Sequence, residues 1–235
     1  MKRKIESRLV IELTRRCNMN CAHCLRGCSQ NLDISKKTID NVLKHYQHIT
    51  SLTLTGGEPS LVPELITYTV NRVIALGIDL GCLYIVTNGK VYSRKMVNAM
   101  RKAYAYSYEP DMCGLCVSVD EYHDGTHVEN RYKYMNEPFY CRDKEQPTLS
   151  RYLINEGNAY YNGLGRRVLN IATSLDHEYV SVDARRIVVE DDLVYINVLG
   201  DVLFGCDISY ENQTSYFVGN VNDSSLVDIL MSHII

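Results

Sequence analysis

The feature that most constrains this chain is a series of short apolar runs, each closed by a turn, at a nearly constant interval. Ser51-Leu52-Thr53-Leu54-Thr55 runs into Gly56-Gly57, and Leu83-Tyr84-Ile85-Val86 closes on Thr87-Asn88-Gly89. Leu115-Cys116-Val117-Ser118-Val119 closes on Asp120. Thr55 to Thr87 is 32 residues and Thr87 to Asp120 is 33. That is the length of a strand plus a crossover helix and two loops. An earlier run, Arg8-Leu9-Val10-Ile11-Glu12-Leu13, precedes the series. Between the runs the apolar period turns helical. From Ser35 to His48, Ile39, Val42 and Leu43 are set against Lys36, Lys37 and Lys44, and helices are also expected over 63–76 and 94–106. Strands alternating with helices predict a parallel sheet with helices outside. The tail changes character. A fifth strand is expected near Leu149–Ile154, then a hairpin of Leu193–Leu199 and Val202–Cys206 turning at Gly200-Asp201, then a short helix over Ser224–Met231.

Every unusual cluster falls at the C-terminal end of one of these strands. Cys17, Cys21 and Cys24 follow the first, Gly56, Gly57 and Glu58 the second, Asn88 and Gly89 the third, and Ser118 and Asp120 the fourth. Sites in parallel α/β proteins are built at that edge, where the loops converge. The chain has nine cysteines in 235 residues, about 4%, against roughly 8–10% in a disulfide scaffold. No apolar leader follows Met1-Lys2-Arg3-Lys4, and no run of about 18 apolar residues exists, so a cytoplasmic location without a membrane partner is expected. Thiols clustered in a reducing compartment point to metal or redox chemistry. A net charge of −3 gives no footprint for nucleic acid.

The spacing Cys17-x3-Cys21-x2-Cys24 admits three readings. On a helix it would be a core stripe, but Arg15, Arg16, Asn18, Asn20 and His23 around it favour a loop. With Cys28 as a fourth ligand it would suit structural zinc. As three thiolates it would hold an iron–sulfur cluster with one iron left open to an exogenous molecule.

The run Cys17-Asn18-Met19-Asn20-Cys21-Ala22-His23-Cys24 resembles the cluster motif of the radical S-adenosylmethionine (SAM) enzymes. Thr55-Gly56-Gly57-Glu58-Pro59 resembles the second signature of that family, and Thr87-Asn88-Gly89 and Ser118-Val119-Asp120 its third and fourth strand ends. The resemblance spans roughly residues 8–160. It implies a [4Fe–4S] cluster on Cys17, Cys21 and Cys24 whose open iron chelates SAM, and a 5′-deoxyadenosyl radical that takes hydrogen from a substrate. It further implies that Gly56 and Gly57 let backbone approach the methionine amino group, with Glu58 shaping that loop. Asn88 and Ser118 would contact ribose or carboxylate, His23 would pack beside adenine, and Asp120 would face ribose or substrate as the candidate catalytic residue. His23 departs from the aromatic residue common before the third Cys.

The implied fold is α/β, a partial (β/α)6 TIM-like barrel over residues 1–178, with a small β-hairpin/helix appendage over 179–235. That tail, including Tyr195–Cys206 and Gly219-Asn220-Val221, is similar to the extension that carries auxiliary clusters in peptide-modifying members. It keeps a single Cys, so Cys113, Cys116, Cys141 and Cys206 are expected as buried or free thiols and no auxiliary cluster is expected. Glu156-Gly157-Asn158-Ala159 resembles a family segment with Arg in place of Asn158. His123 and His127 are read as a polar loop. The expected partners are a peptide or small-molecule substrate and an electron donor such as flavodoxin or ferredoxin. The alternatives are an activase for a glycyl-radical enzyme and a non-catalytic, zinc-stabilised binding protein on the same fold.

Overall fold

A computed structural model describes residues 3–119, 122–123, 128–141 and 153–235. Strand β1 (Lys4–Thr14) opens the chain, helix α1 (Lys36–Leu43) follows, and β2 (Tyr46–Gly56) lies parallel to β1 with Leu9 opposite Leu52. Helix α2 (Pro63–Ala75), β3 (Asp79–Thr87), helix α3 (Arg94–Tyr106) and β4 (Gly114–Val117) continue the series, each strand parallel to the one before. Helix α4 (Val128–Tyr134) and helix α5 (Gly157–Tyr161) come next. The tail holds β5 (Val180–Val182), β6 (Arg186–Ile196), β7 (Asp201–Leu203), helix α6 (Gln213–Tyr216), β8 (Gly219–Asn220) and helix α7 (Leu226–Met231).

Local chemistry explains the helix ends. Ser35 caps α1 by accepting the Thr38 N–H at 3.0 Å, and Ser93 caps α3 by accepting the Met96 N–H at 3.2 Å. Helix α1 stops short of the expected His48. Residues from Tyr46 pair with β1 instead, and the Tyr46 hydroxyl reaches Ser7 Oγ at 3.0 Å. Tertiary pairing thus overrides a helical pattern whose last buried residue is Leu43.

Among the described residues the strands form one open sheet in the order β4-β3-β2-β1-β6-β7-β8, with β5 antiparallel on β6. The expected hairpin is present as β6 and β7, turning through Gly200 at φ +90°. Its first strand lies parallel to β1, with Val10 opposite Tyr195, so this tail widens the main sheet. The expected fifth strand, Leu149–Ile154, falls mostly on 149–152, outside the described residues. Ile154 makes only an isolated parallel bridge to Arg167.

The two faces of the sheet divide by the period of two. Leu9, Ile11, Leu52, Leu54, Leu83 and Ile85 are fully buried in one core with Ile39, Ile66, Val73, Met96 and Met100 of the helices. The alternate residues Arg8, Val10, Thr53, Thr55, Tyr84 and Val86 line a cavity on the other face. No helix among the described residues is long and apolar enough to cross a membrane.

Candidate functional site

The cavity on the inner face has a volume of about 870 Å³, within the usual range for small-molecule sites. Its wall includes Cys17, Cys21, Cys24, His23, Gly56, Gly57, Glu58, Asn88 and Ser118. Nine of the ten residues to which the resemblance gives a role therefore surround one space. The tenth, Asp120, lies outside the described residues.

The three thiols are all half-buried. They also share a narrow recess of about 50 Å³ bounded by Gly56, Gly57 and Met19. Cys28 is exposed and faces a separate outer cleft with Cys17 and Cys21, whereas Cys24 does not border that cleft. Cys24 and Cys28 thus open to different spaces, which does not suit four ligands on one ion. Among the described residues, no three His, Cys, Asp or Glu side chains converge closely enough to hold a single metal ion. Three thiols spread around a recess match instead the donor set of a cluster, in which each thiolate takes its own iron. Burial pushes the Cys17 thiol up, and Glu58 and Cys24 nearby add to that, against a backbone N–H from Met19. A cationic metal centre is what would deprotonate it.

The strand ends behind the thiols are fastened by backbone. A Cβ on Gly56 would stand 2.2 Å from the Thr14 carbonyl oxygen, and one on Gly57 2.3 Å from that of Arg16. The Gly57 N–H donates to Thr14 O and the Glu58 N–H to Arg16 O, both at 2.8 Å. Close approach of β2 to the stem of the thiol loop therefore demands glycine at both positions. Glu58 is 1% exposed and accepts from Ser60 N at 2.9 Å, Thr87 Oγ1 at 2.6 Å and Asn88 N at 2.7 Å. It ties the end of β2 to the end of β3. Asn88 Nδ2 donates in turn to Asn18 Oδ1 at 2.8 Å, inside the thiol loop. Ser118 donates its N–H to Thr87 O at 2.9 Å, which aligns the fourth strand end. His23 stacks on Tyr122 with ring centroids 4.5 Å apart and meets His123 edge-on at 5.3 Å. His127 lies outside the described residues.

Two supports of the thiol loop have a bracing role that the sequence did not disclose, although the first falls on a segment it singled out. The first is helix α5. The Asn158 N–H donates to Cys24 O at 2.8 Å and Asn158 Nδ2 to Cys21 O at 3.0 Å. Asn162 Nδ2 donates to Ala22 O at 3.0 Å. Gly157 has φ +53°, and a Cβ there would stand 2.4 Å from Leu25 O. So Asn158, where the resembling family segment has Arg, binds two carbonyls of the thiol loop. The second support is a buried polar network beneath the loop. Glu12, 0% exposed, accepts from Arg15 Nε at 2.7 Å, Gln213 Nε2 at 3.1 Å and the Tyr195 hydroxyl. Arg15 also donates to Gln30 and Gln213 and lies 4.6 Å over the Tyr210 ring.

The remaining cysteines stand apart from the thiol loop. Cys113 Sγ accepts from Leu83 N at 3.4 Å, and Cys116 Sγ donates to the Tyr84 hydroxyl at 2.9 Å. Cys141 is half-buried, and Cys206 lies on the β1/β6 side of the large cavity.

The fold and the site together define a parallel α/β protein with a thiol-lined centre at the C-terminal strand ends. No family model matches the chain. A curated relative, the AdoMet-dependent heme synthase of Methanosarcina barkeri, is 30% identical over 98 residues, which is 39% of this chain. The chain spans 27% of the length of that relative. Among solved structures, Streptococcus suis SuiB bound to precursor peptide SuiA aligns over 97% of this chain and 65% of its own, at 12% identity and TM-score 0.49. The anSMEcpe protein with bound AdoMet and Cp18Cys peptide aligns over 98% of this chain and 82% of its own, at 12% identity and TM-score 0.46. The Cys-x3-Cys-x2-Cys loop and the Gly-Gly-Glu strand end are thus accompanied by similarity to an AdoMet-dependent relative over part of the chain.

Proposed function

We propose that this chain is a radical SAM enzyme that acts on a peptide or small metabolite bound in the large cavity. The observation that carries the reading is the narrow recess shared by Cys17, Cys21 and Cys24, with Gly56 and Gly57 opposite. Those three thiolates would hold a [4Fe–4S] cluster. When bound, that group supplies the electron that cleaves SAM to methionine and a 5′-deoxyadenosyl radical able to take hydrogen from a substrate.

The residues of the chain do the rest. The Gly56-Gly57 turn, Asn88 and Ser118 present polar edges to SAM at the mouth of the cavity. The rings of His23 and Tyr122, stacked as described, offer a flat surface to adenine. Val10, Val86 and Leu193 add apolar surface to the cavity wall, which helps keep water from the reacting atoms. Asp120 would face the ribose or substrate. The electron donor would be a flavodoxin or ferredoxin, and the compartment a reducing cytoplasm.

Anaerobic purification with iron and sulfide counting, followed by a SAM assay under dithionite, tests this reading. About four iron and four sulfide per chain and formation of 5′-deoxyadenosine are expected. One zinc without sulfide, or no SAM cleavage by a fully loaded protein, sinks it.

Asn158 offers a narrower test. In Asn158→Ala the backbone bond to Cys24 survives and the side-chain bond to Cys21 is lost. A stability loss of about 1 kcal/mol is expected, together with faster release of iron to a chelator. Release at the wild-type rate would show that the side chain does not brace the loop.

A further inference from the structure

Arg8 and Arg26 both line the large cavity. Arg8 projects from the inner face of β1, where its register partner on β6 is Leu193. Among the described residues it has no hydrogen-bond acceptor and no ion pair, although it carries five N–H donors. Arg26 follows the third thiol of the loop. Its Nη1 donates to Ile208 O at 2.8 Å and its guanidinium lies 5.2 Å over the Tyr195 ring. Its other donors have no acceptor among the described residues.

The two cations converge on one patch of wall. Burial and Asp207 push the Cys206 thiol up to about 11, while Arg26 and Arg8 both act on it in the opposite direction. Arg8 stands opposite Leu193 in the register of β1 and β6, and Arg26 lies over the ring of Tyr195, two residues further along β6. Among the described residues two acids line the cavity, Glu58 and Asp207. Both oxygens of Glu58 are taken by Ser60, Thr87 and Asn88, and Asp207 is ion-paired with neither arginine. Around the patch the wall is apolar or neutral, with Val10, Leu193, Leu153 and Ile154.

Two guanidinium forks facing a half-enclosed space, with donors to spare, are built to receive a planar anion. We propose that Arg8 and Arg26 bind a carboxylate of the substrate, whose apolar body lies along the β1/β6 wall. Asp207 and the buried Glu12, whose charge also acts on Arg26, offset part of the two positive charges, which matches a monoanionic carboxylate better than a phosphate dianion. Among the described residues no lysine and no glycine-rich backbone turn lies at the patch to favour phosphate. The assignment rests on the proposed function in taking this cavity as the substrate site. It makes the two arginines specificity determinants for an anionic substrate.

The probe is hexanoate, with hexanamide as its neutral isostere and methyl phosphate as the competing anion. Each is titrated into the anaerobically purified full chain carrying 15N-labelled arginine, and the Nε–H resonances are followed. Hexanoate is expected to bind saturably and hexanamide at least roughly tenfold more weakly, the loss of a charged hydrogen bond. Arg8→Gln and Arg26→Gln should each weaken hexanoate by a similar factor, with partial recovery in Arg8→Lys. Equal binding of hexanoate and hexanamide, or wild-type affinity in both Gln variants, overturns the proposal. Tighter binding of methyl phosphate through the same arginines overturns the carboxylate assignment. If Arg26→Gln does not fold, Arg8→Gln decides, because Arg8 is exposed and supports no other residue. The titration uses neither SAM turnover nor a substrate. Charge-independent binding beside intact 5′-deoxyadenosine formation therefore condemns this proposal alone, and the reverse condemns the proposed activity alone.

Discussion

Cys17→Ala, Cys21→Ala and Cys24→Ala are each expected to give folded, colourless protein without iron or sulfide above background, while Cys28→Ala stays brown. The first three thiols are half-buried around the recess and outside the main apolar core, so their loss costs little stability. On the proposed function it removes one of the three thiolates that would hold a cluster, which normally takes four. Cys28 faces the outer cleft and shares no space with Cys24. Iron and sulfide analysis with the visible spectrum reads the outcome. Bleaching by Cys28→Ala would reassign the ligands and revive a four-thiol zinc site. Circular dichroism of each variant separates lost ligation from lost folding.

The second large effect is expected at Glu12. Its carboxylate is the shared acceptor of Arg15, Gln213 and Tyr195. Glu12→Gln keeps the size but turns an oxygen into a donor that faces other donors. Arg15, 5% exposed, is left as a buried cation without its counter-ion. Breaking such a pair costs about 3–5 kcal/mol, which urea unfolding would show as a lower midpoint. Replacing both charges, in Glu12→Leu with Arg15→Met, should recover much of that loss, because desolvating the pair is itself costly. A loss below about 1 kcal/mol in Glu12→Gln would mean that the network is solvated and weak.

The parallel sheet was legible because the strands alternate with helices at a fixed interval, and residues such as Leu52 and Leu54 share a face by the period of two. Helix α3 runs from Arg94 to Tyr106 as expected, because Ser93 caps it and Met96, Met100 and Ala103 repeat on one side. The thiol loop was legible because its ligands lie within eight consecutive residues, Cys17 to Cys24. What braces it was not. Glu12 and Tyr195 are 183 residues apart, and Arg15 and Gln213 are 198 apart. A glutamate in an apolar strand and a glutamine in a polar tail carry no mark of each other. The hairpin of β6 and β7 was also legible from its own turn. Its place beside β1 was not, because an apolar strand does not encode which edge it joins.

That placement has a consequence for the order in which the molecule is made. Ribosomes deliver Glu12 long before Gln213, which lies 201 positions further along the chain and must be synthesised before the bond can close. Long-range closure of this kind is slow, because chain entropy is lost before the contact forms. During that interval the thiol loop has emerged but has no floor. The nascent chain therefore passes through a stage in which Cys17, Cys21 and Cys24 lack the support that the docked tail gives their loop.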